Sequence, residues 1–325
     1  MNYDIIATLG PGSSEPALWE DMLAAGATAF RLNTSHLTLP QTLAWLEKLE
    51  KLFQATGRTI PVVLDLQGSK WRLGKLPAAD LKSGQQIELR QAASSDQSAI
   101  FPVPHKDFFL AAAASNGEII LNDAKLRLQI ESVNEENITA RVTQAGPIAA
   151  NKGITLAASD YRHEGLSQKD AAIFEQTRSF GFVRYAISYI KDAAEMTAYR
   201  SQLGSTAYLI AKLERRQAMQ EAVEIAASAD ELWVCRGDLG AEVGLKALAE
   251  IVLDFAAFLP RIKVPVIMAG QVLEHMTRQP APTRSEVCYL YETLQRGYQG
   301  FVLSDEAAIG LYPIESCAAA ALFRN

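Results

Sequence analysis

The residues with the most chemistry in this chain are a lysine and two acids. Lys212 and Glu214 end an apolar run that begins at Ala207, and Asp238 follows a second run, Glu231-Leu232-Trp233-Val234-Cys235, inside Arg236-Gly237-Asp238-Leu239-Gly240. Each run has the character of a strand ending in charge. Side chains alternate along a strand, so Lys212 and Glu214 point to the same face. If that face is the inside of a barrel, a cation and two carboxylates converge at one mouth. Such a mouth suits a divalent metal with a phosphate or an enolate beside it. Another run ends Arg31-Leu32-Asn33-Thr34-Ser35-His36, where parity puts Arg31 and Asn33 on one face with Ser35 beyond. An arginine there suits phosphate, because guanidinium is a planar two-pronged donor. A surface salt bridge is its plainer use; the company of Lys212, Glu214 and Asp238 favours phosphate. Gly237 would let the backbone approach a ligand and free N–H groups receive an anion, with a simple glycine turn as the alternative.

Further along, Asp65-Leu66-Gln67-Gly68-Ser69-Lys70-Trp71-Arg72 offers both charge signs in one short stretch. Lys152, beside Gly153, is by itself a solvated lysine, but could reach a nucleotide phosphate from an inserted segment. Pro282-Thr283-Arg284-Ser285-Glu286 has the pattern of a helix start.

These residues need a frame. Short apolar runs read as strands at 4–9, 28–32, 61–66, 182–187, 208–213, 231–235, 264–269 and 300–303. Stretches with helical periodicity lie between them, as at 15–25, 41–55, 169–180 and 217–228. Eight such strands predict a (β/α)8 barrel; a doubly wound open sheet is the alternative. One stretch breaks the alternation. Residues 74–157 read as β-rich, with strands at 86–90, 118–121, 127–133 and 138–144, turn signals at 83–84, 122–123 and 134–137, and a helical piece at 107–114. They predict a small β-barrel inserted after the third strand, on the face where a lid can exclude water. The barrel domain is then 1–73 with 158–325.

Composition narrows the function classes. The chain has 325 residues, 49% hydrophobic and 21% charged, an ordinary globular balance. A formal net charge of -6 argues against a nucleic-acid binder. The start, Met1-Asn2-Tyr3-Asp4, shows no secretory signal, and no apolar run reaches the length of a membrane span. Cys235, Cys288 and Cys317 are scattered and odd in number, as reduced core thiols of a cytoplasmic protein would be. The four histidines lack the spacing of a zinc site.

In their order along the chain, several segments resemble the pyruvate kinase family. They are Thr8-Leu9-Gly10-Pro11, Arg31 to His36, Ile210-Ala211-Lys212-Leu213-Glu214, Arg236 to Gly240, Pro282 to Glu286, and Leu303-Ser304-Asp305-Glu306. Singly they are weak; the ordered set is specific, and it runs from near residue 4 to near residue 317. The resemblance implies a (β/α)8 barrel with an inserted β lid, acting on phosphoenolpyruvate and ADP or ATP. It implies Glu214 and Asp238 as ligands of Mg2+ or Mn2+. It implies Lys212 beside the transferring phosphoryl group and the enolate, Arg31 on phosphate, and the backbone of Gly237 and Asp238 on the substrate carboxylate. Asn33, His36, Arg72 and Lys152 fall where the family contacts nucleotide. A homo-oligomer would form through the barrel.

The departures from the family pattern are informative. The chain stops soon after the eighth strand, so the family's carboxy-terminal domain, with its sugar-phosphate effector site, is expected to be missing and that allostery with it. Leu66 and Lys70 stand where most members have threonine and glutamate and use them with K+; Asn33, Ser35 and Asp65, the rest of that site, are kept. A tethered ammonium from Lys70 predicts that K+ is not required. Gly270 stands where the family has a threonine tied to substrate binding and enolate protonation, and Asp305 replaces a glycine. Three readings follow: a compact Mg-dependent pyruvate kinase, a related enzyme that stabilises the enolate of another phosphorylated or 2-oxo acid, and a non-catalytic ligand-binding protein.

Overall fold

The computed structural model describes residues 1–68, 71–115, 117–121, 126–156 and 165–325. The chain forms two compact units, one of Met1–Gly68, Leu166–Arg236 and Ile251–Asn325, the other of Ser69–Gly165 with Gly237–Glu250.

The first unit is built on eight parallel strands: β1 (Asp4–Leu9), β2 (Ala29–Asn33), β3 (Val62–Leu66), β4 (Val183–Ile187), β5 (Leu209–Leu213), β6 (Glu231–Cys235), β7 (Val266–Ala269) and β8 (Gly300–Leu303). They pair in sequence order, and β8 returns to β1 through Asp4 opposite Gly300, closing the barrel. The strands are nearly continuous apolar runs because both faces are covered, one by the barrel filling and one by helices. Parity decides which residues fill it. One buried cluster takes Ile6, Ala29, Val63, Ala186, Ile210, Trp233, Ile267 and Val302, one residue from each strand in turn. Continuing the runs of β1 to β5 by two residues toward the C-terminal end gives Thr8, Arg31, Asp65, Ser188 and Lys212, while β6, β7 and β8 give Cys235, Ala269 and Ser304. On the first five strands, the phase that fills the barrel with hydrocarbon thus ends in polar groups at the face where barrel enzymes work.

The helix Leu39–Thr56 is opened by a reciprocal cap between Thr38 and Gln41 and buries Thr42, Leu46, Leu49, Leu52 and Phe53. The spacing is that of one apolar stripe, and each fully buried large apolar side chain contributes about 2 kcal/mol. Thr283 and Glu286 cap the helix Arg284–Gln295 in the same way, as the sequence pattern predicts. One expectation differs in detail. The helix expected at 217–228 is two short pieces, Arg216–Gln220 and Ala222–Ile225. After β6 a helix, Arg236–Val243, starts at once.

In the second unit six strands form one sheet in the order Ile154–Leu156, Glu118–Leu121, Leu126–Val133, Asn137–Gln144, Gln86–Arg90, Ile100–Pro102. A two-stranded ladder joins Ala79–Leu81 to Gly146–Ile148, and a helix spans Lys106–Ser115. The unit has its own core, including Phe101, Phe108, Phe109, Leu128 and Ile138. The Trp71 indole N–H, buried at its edge, donates to Asp107 Oδ2 at 2.7 Å. The turn expected at 122–123 lies outside the described residues.

Candidate active site

Four charged side chains from three barrel strands and their ends meet in the first unit. Arg31, on β2, donates from Nε and Nη2 to Asp65 Oδ2 at 2.8 and 2.6 Å, and from Nη1 to Thr8 Oγ1 at 2.9 Å. Asp65, on β3, turns its other oxygen to Lys212 Nζ at 3.1 Å. Lys212, on β5, also lies 3.0 Å from Glu214 Oε1. The set holds two cations and two carboxylates, so its formal charge cancels. Buried charge is tolerable only when paired in this way. Asp65, Lys212 and Glu214 are 2%, 8% and 1% exposed, so the pairing is a condition of their being there.

The electrostatics follow from that burial. Burial alone would raise the Asp65 carboxyl, but the Lys212 ammonium and the Arg31 guanidinium outweigh it and hold the group at about 2. Burial alone would lower the Lys212 ammonium; the carboxylates of Asp65 and Glu214 outweigh it and raise its pKa, so it stays charged at any working pH. Because the folded value of Asp65 lies below the unfolded one, its stabilisation is present above about pH 4 and is lost as pH falls from there through about 2. The expected size is ~2 kcal/mol. Asp65→Asn should therefore lower stability near pH 7, by ~3 kcal/mol once its two cations lose their shared partner. It should also flatten the acid limb of the stability curve. Urea titrations of both proteins between pH 2 and pH 7 check this.

Groups that the sequence reading left out complete the cluster. The Ser188 hydroxyl, just past β4, accepts from Lys212 Nζ at 2.9 Å and lies 3.1 Å from Asp65 Oδ1 and 2.8 Å from the Leu66 carbonyl. Tyr189 donates its backbone N–H to Glu214 Oε2 at 2.7 Å, from a φ of +66°. A bulky residue in the left-handed region is rare and strained, and here it aims a main-chain donor at a site carboxylate. Gly68 has φ +61°, and a Cβ on it would lie 2.2 Å from the Ser188 carbonyl oxygen. Only glycine allows the exit of β3 to pass so close to the exit of β4.

The remaining expected residues fall as follows. Asn33 Oδ1 accepts from Ser35 N at 3.1 Å, capping the single turn Thr34–His36, on which Ser35 is half-buried and His36 exposed. Leu66 is out of phase with Asp65 and its side chain is buried, while its carbonyl faces Ser188. Lys70 lies outside the described residues. Gly237 and Asp238 occupy the first turn of the helix Arg236–Val243. A Cβ at 237 would meet nothing within 4 Å, so packing does not demand glycine there. Gly270 follows β7 with φ +85° and Gln271 has φ +54°. In the second unit Arg72 and Lys152 sit on paired chains: Arg72 bridges to Gly153, the Leu73 N–H donates to the Lys152 carbonyl at 2.9 Å, and Arg72 Nη1 donates to the Asn151 carbonyl at 3.0 Å.

Among the described residues no group of three or more His, Cys, Asp or Glu is placed to hold a metal ion, and no helix is long and apolar enough to cross a membrane.

Comparison with known proteins agrees with this frame. The family profile for pyruvate kinase, barrel domain, matches residues 1–317. The chain is 32% identical over 315 residues to a pyruvate kinase of Agrobacterium vitis, and 32% identical over 315 residues to one of Methylorubrum extorquens. It is 30% identical over 318 residues to one of Thermococcus litoralis. Each match takes in 96% of this chain and 66% of the relative, so the chain spans just under two thirds of the length of these relatives. With a closed eight-stranded barrel, strand ends that carry Arg31, Asp65, Lys212 and Glu214, and a profile match over nearly its whole length, the chain belongs to the pyruvate kinase family.

Proposed function

We propose that the chain transfers a phosphoryl group between phosphoenolpyruvate and ADP, giving pyruvate and ATP. The observation that carries this reading is the buried Lys212 ammonium, fixed between Asp65 and Glu214 and joined through Asp65 to Arg31. Phosphoryl transfer asks mainly for positioning and charge neutralisation, and a preorganised cation needs no reorganisation to supply them. The relatives' names point the same way.

Glu214 and Asp238 are the proposed ligands of Mg2+ or Mn2+. Carboxylate oxygens are the hard donors such ions prefer, and Glu214 fits: its Oε1 lies 3.0 Å from Lys212 Nζ and its Oε2 is fixed by the Tyr189 N–H. When bound, the metal polarises phosphoryl and enolate oxygens. The rest falls to side chains and backbone amides. Arg31 holds the phosphate of phosphoenolpyruvate. The N–H groups around Gly237 and Asp238 receive its carboxylate. Lys212 balances charge as the bond from phosphorus to the enol oxygen breaks and a bond to the terminal oxygen of ADP forms. C3 of the resulting enolate then takes a proton from solvent. Asn33, His36, Arg72 and Lys152 are the proposed nucleotide contacts. Lys152→Ala should weaken ADP binding about tenfold, with Mg2+–oxalate affinity unchanged by calorimetry. Such a reaction fits the cytoplasm.

Independence of K+ is part of the proposal. Asp65, the carboxylate of the monovalent-cation site that the resemblance implies, already has two fixed cations on it. Activity should be flat between sodium and potassium salts at matched ionic strength. Strong activation by K+ would sink this point.

A second reading, transfer from another enol phosphate or enolate chemistry on another 2-oxo acid, is favoured by one observation. Gly270, with φ +85°, offers no side-chain hydroxyl where the resemblance implies a threonine, which changes the chemistry available at the turn after β7. Incubation with phosphoenolpyruvate, ADP and Mg2+ separates the two. Pyruvate supports the first; no pyruvate, with Mg2+-dependent stabilisation by oxalate, supports the second.

A further inference from the structure

Glu306 is fully buried, and the chemistry proposed above does not use it. It lies in the short helix Asp305–Ala308 that follows β8. Its two carboxylate oxygens are spent on main-chain amides from two neighbouring strand exits. Oε1 accepts the Leu273 N–H at 3.1 Å and Oε2 the Ser304 N–H at 3.0 Å. Its backbone is hemmed in as well: a Cβ on Gly310 would lie 2.4 Å from the Glu306 carbonyl oxygen. Burial pushes the carboxyl up to about 7 despite these bonds, and Glu274 adds to the rise. An acid held at such a cost, where a leucine would pack without one, needs a reason.

The turn it holds supplies one. Gly270 and Gln271 are consecutive residues with positive φ, +85° and +54°, and Gln271 is not glycine. Left alone, such a pair relaxes. Arg236 grips the front of the turn, donating from Nη2 to the carbonyls of Gly270 at 2.5 Å and Gln271 at 3.0 Å, with its guanidinium 4.6 Å from the centre of the Tyr289 ring. Glu306 grips the back at Leu273. We propose that Glu306 and Arg236 are positioning residues that latch the turn after β7 to the exits of β8 and β6, and so set the shape of the substrate site at Gly270. The latch itself stands on geometry; its effect on substrate rests on the phosphotransferase reading above.

The test uses Glu306→Gln, which keeps one acceptor oxygen but faces the second amide with an NH2, and Arg236→Lys, which keeps the charge but loses the planar fork. Arg236 is half-exposed, so this second variant remains informative should Glu306→Gln fold poorly. Hydrogen exchange by mass spectrometry should quicken about tenfold over residues 270–276 in each variant, the scale of one lost buried hydrogen bond. Exchange in β5 should not change. KM for phosphoenolpyruvate should rise about tenfold while kcat changes less than about threefold, as expected for loss of uniform binding. Unchanged exchange in both variants would overturn the latch. Faster exchange with unchanged KM would overturn the positioning role. If the wild type makes no pyruvate, the reading above has failed, and the affinity for Mg2+–oxalate takes the place of KM. A wild type that binds neither sinks the positioning role, leaving exchange to decide the latch.

Discussion

Lys212→Met is expected to lose at least about a hundredfold in turnover, since a preorganised cation at a transferring phosphoryl group contributes ~3 kcal/mol or more. The structure adds a second consequence. Lys212 is the ammonium that sits on both Asp65 and Glu214. Without it Asp65 keeps Arg31 and Glu214 keeps the Tyr189 N–H, so the fold should survive, but with ~3 kcal/mol less stability. Both effects should appear together: a collapse in pyruvate formation at saturating substrate, and a lower urea midpoint. Near-normal turnover would exclude Lys212 from the chemistry. Lost turnover without lost stability would mean that the two carboxylates do not depend on it.

Glu214→Gln should abolish Mg2+-dependent binding of oxalate, an enolate mimic. An amide offers one neutral oxygen where the carboxylate offers a full charge, and hard cations discriminate strongly between them. A loss of more than about a hundredfold in affinity is expected, against a smaller change for metal-independent ligands. Asp238→Asn should behave in the same way. Calorimetry checks both, and wild-type affinity in both variants would remove the metal from this pair. The test does not depend on which acid is the substrate.

Much of this site was legible because a strand has a period of two. Arg31 with Asn33, and Lys212 with Glu214, were read as sharing faces, and the same phase carries the barrel filling from Ala29 and Ile210 up to the charged ends. Asp65 was legible only as a kept position of a cation site; that it joins Arg31 to Lys212 depends on β3 lying beside β2 and on a separation of 147 residues from Lys212. What remained hidden acts through the main chain. Tyr189 contributes an N–H, Leu66 a carbonyl, and Glu306 and Arg236 hold amides and carbonyls of a turn. No side-chain pattern announces these roles, because any residue type carries the same backbone groups. Ser188 is the exception, since extending β4 by one period from Ala186 reaches it. The missing hydroxyl at Gly270 was visible from the residue type, but its positive φ was not.

Phosphorus NMR of the wild-type chain with phosphoenolpyruvate, ADP and Mg2+ tests the central claim most directly. The account predicts that the phosphoenolpyruvate resonance falls as the three resonances of ATP rise in equal amount, and that neither changes when Mg2+ is chelated. Phosphoenolpyruvate left intact, or consumed with release of inorganic phosphate in place of ATP, would contradict it.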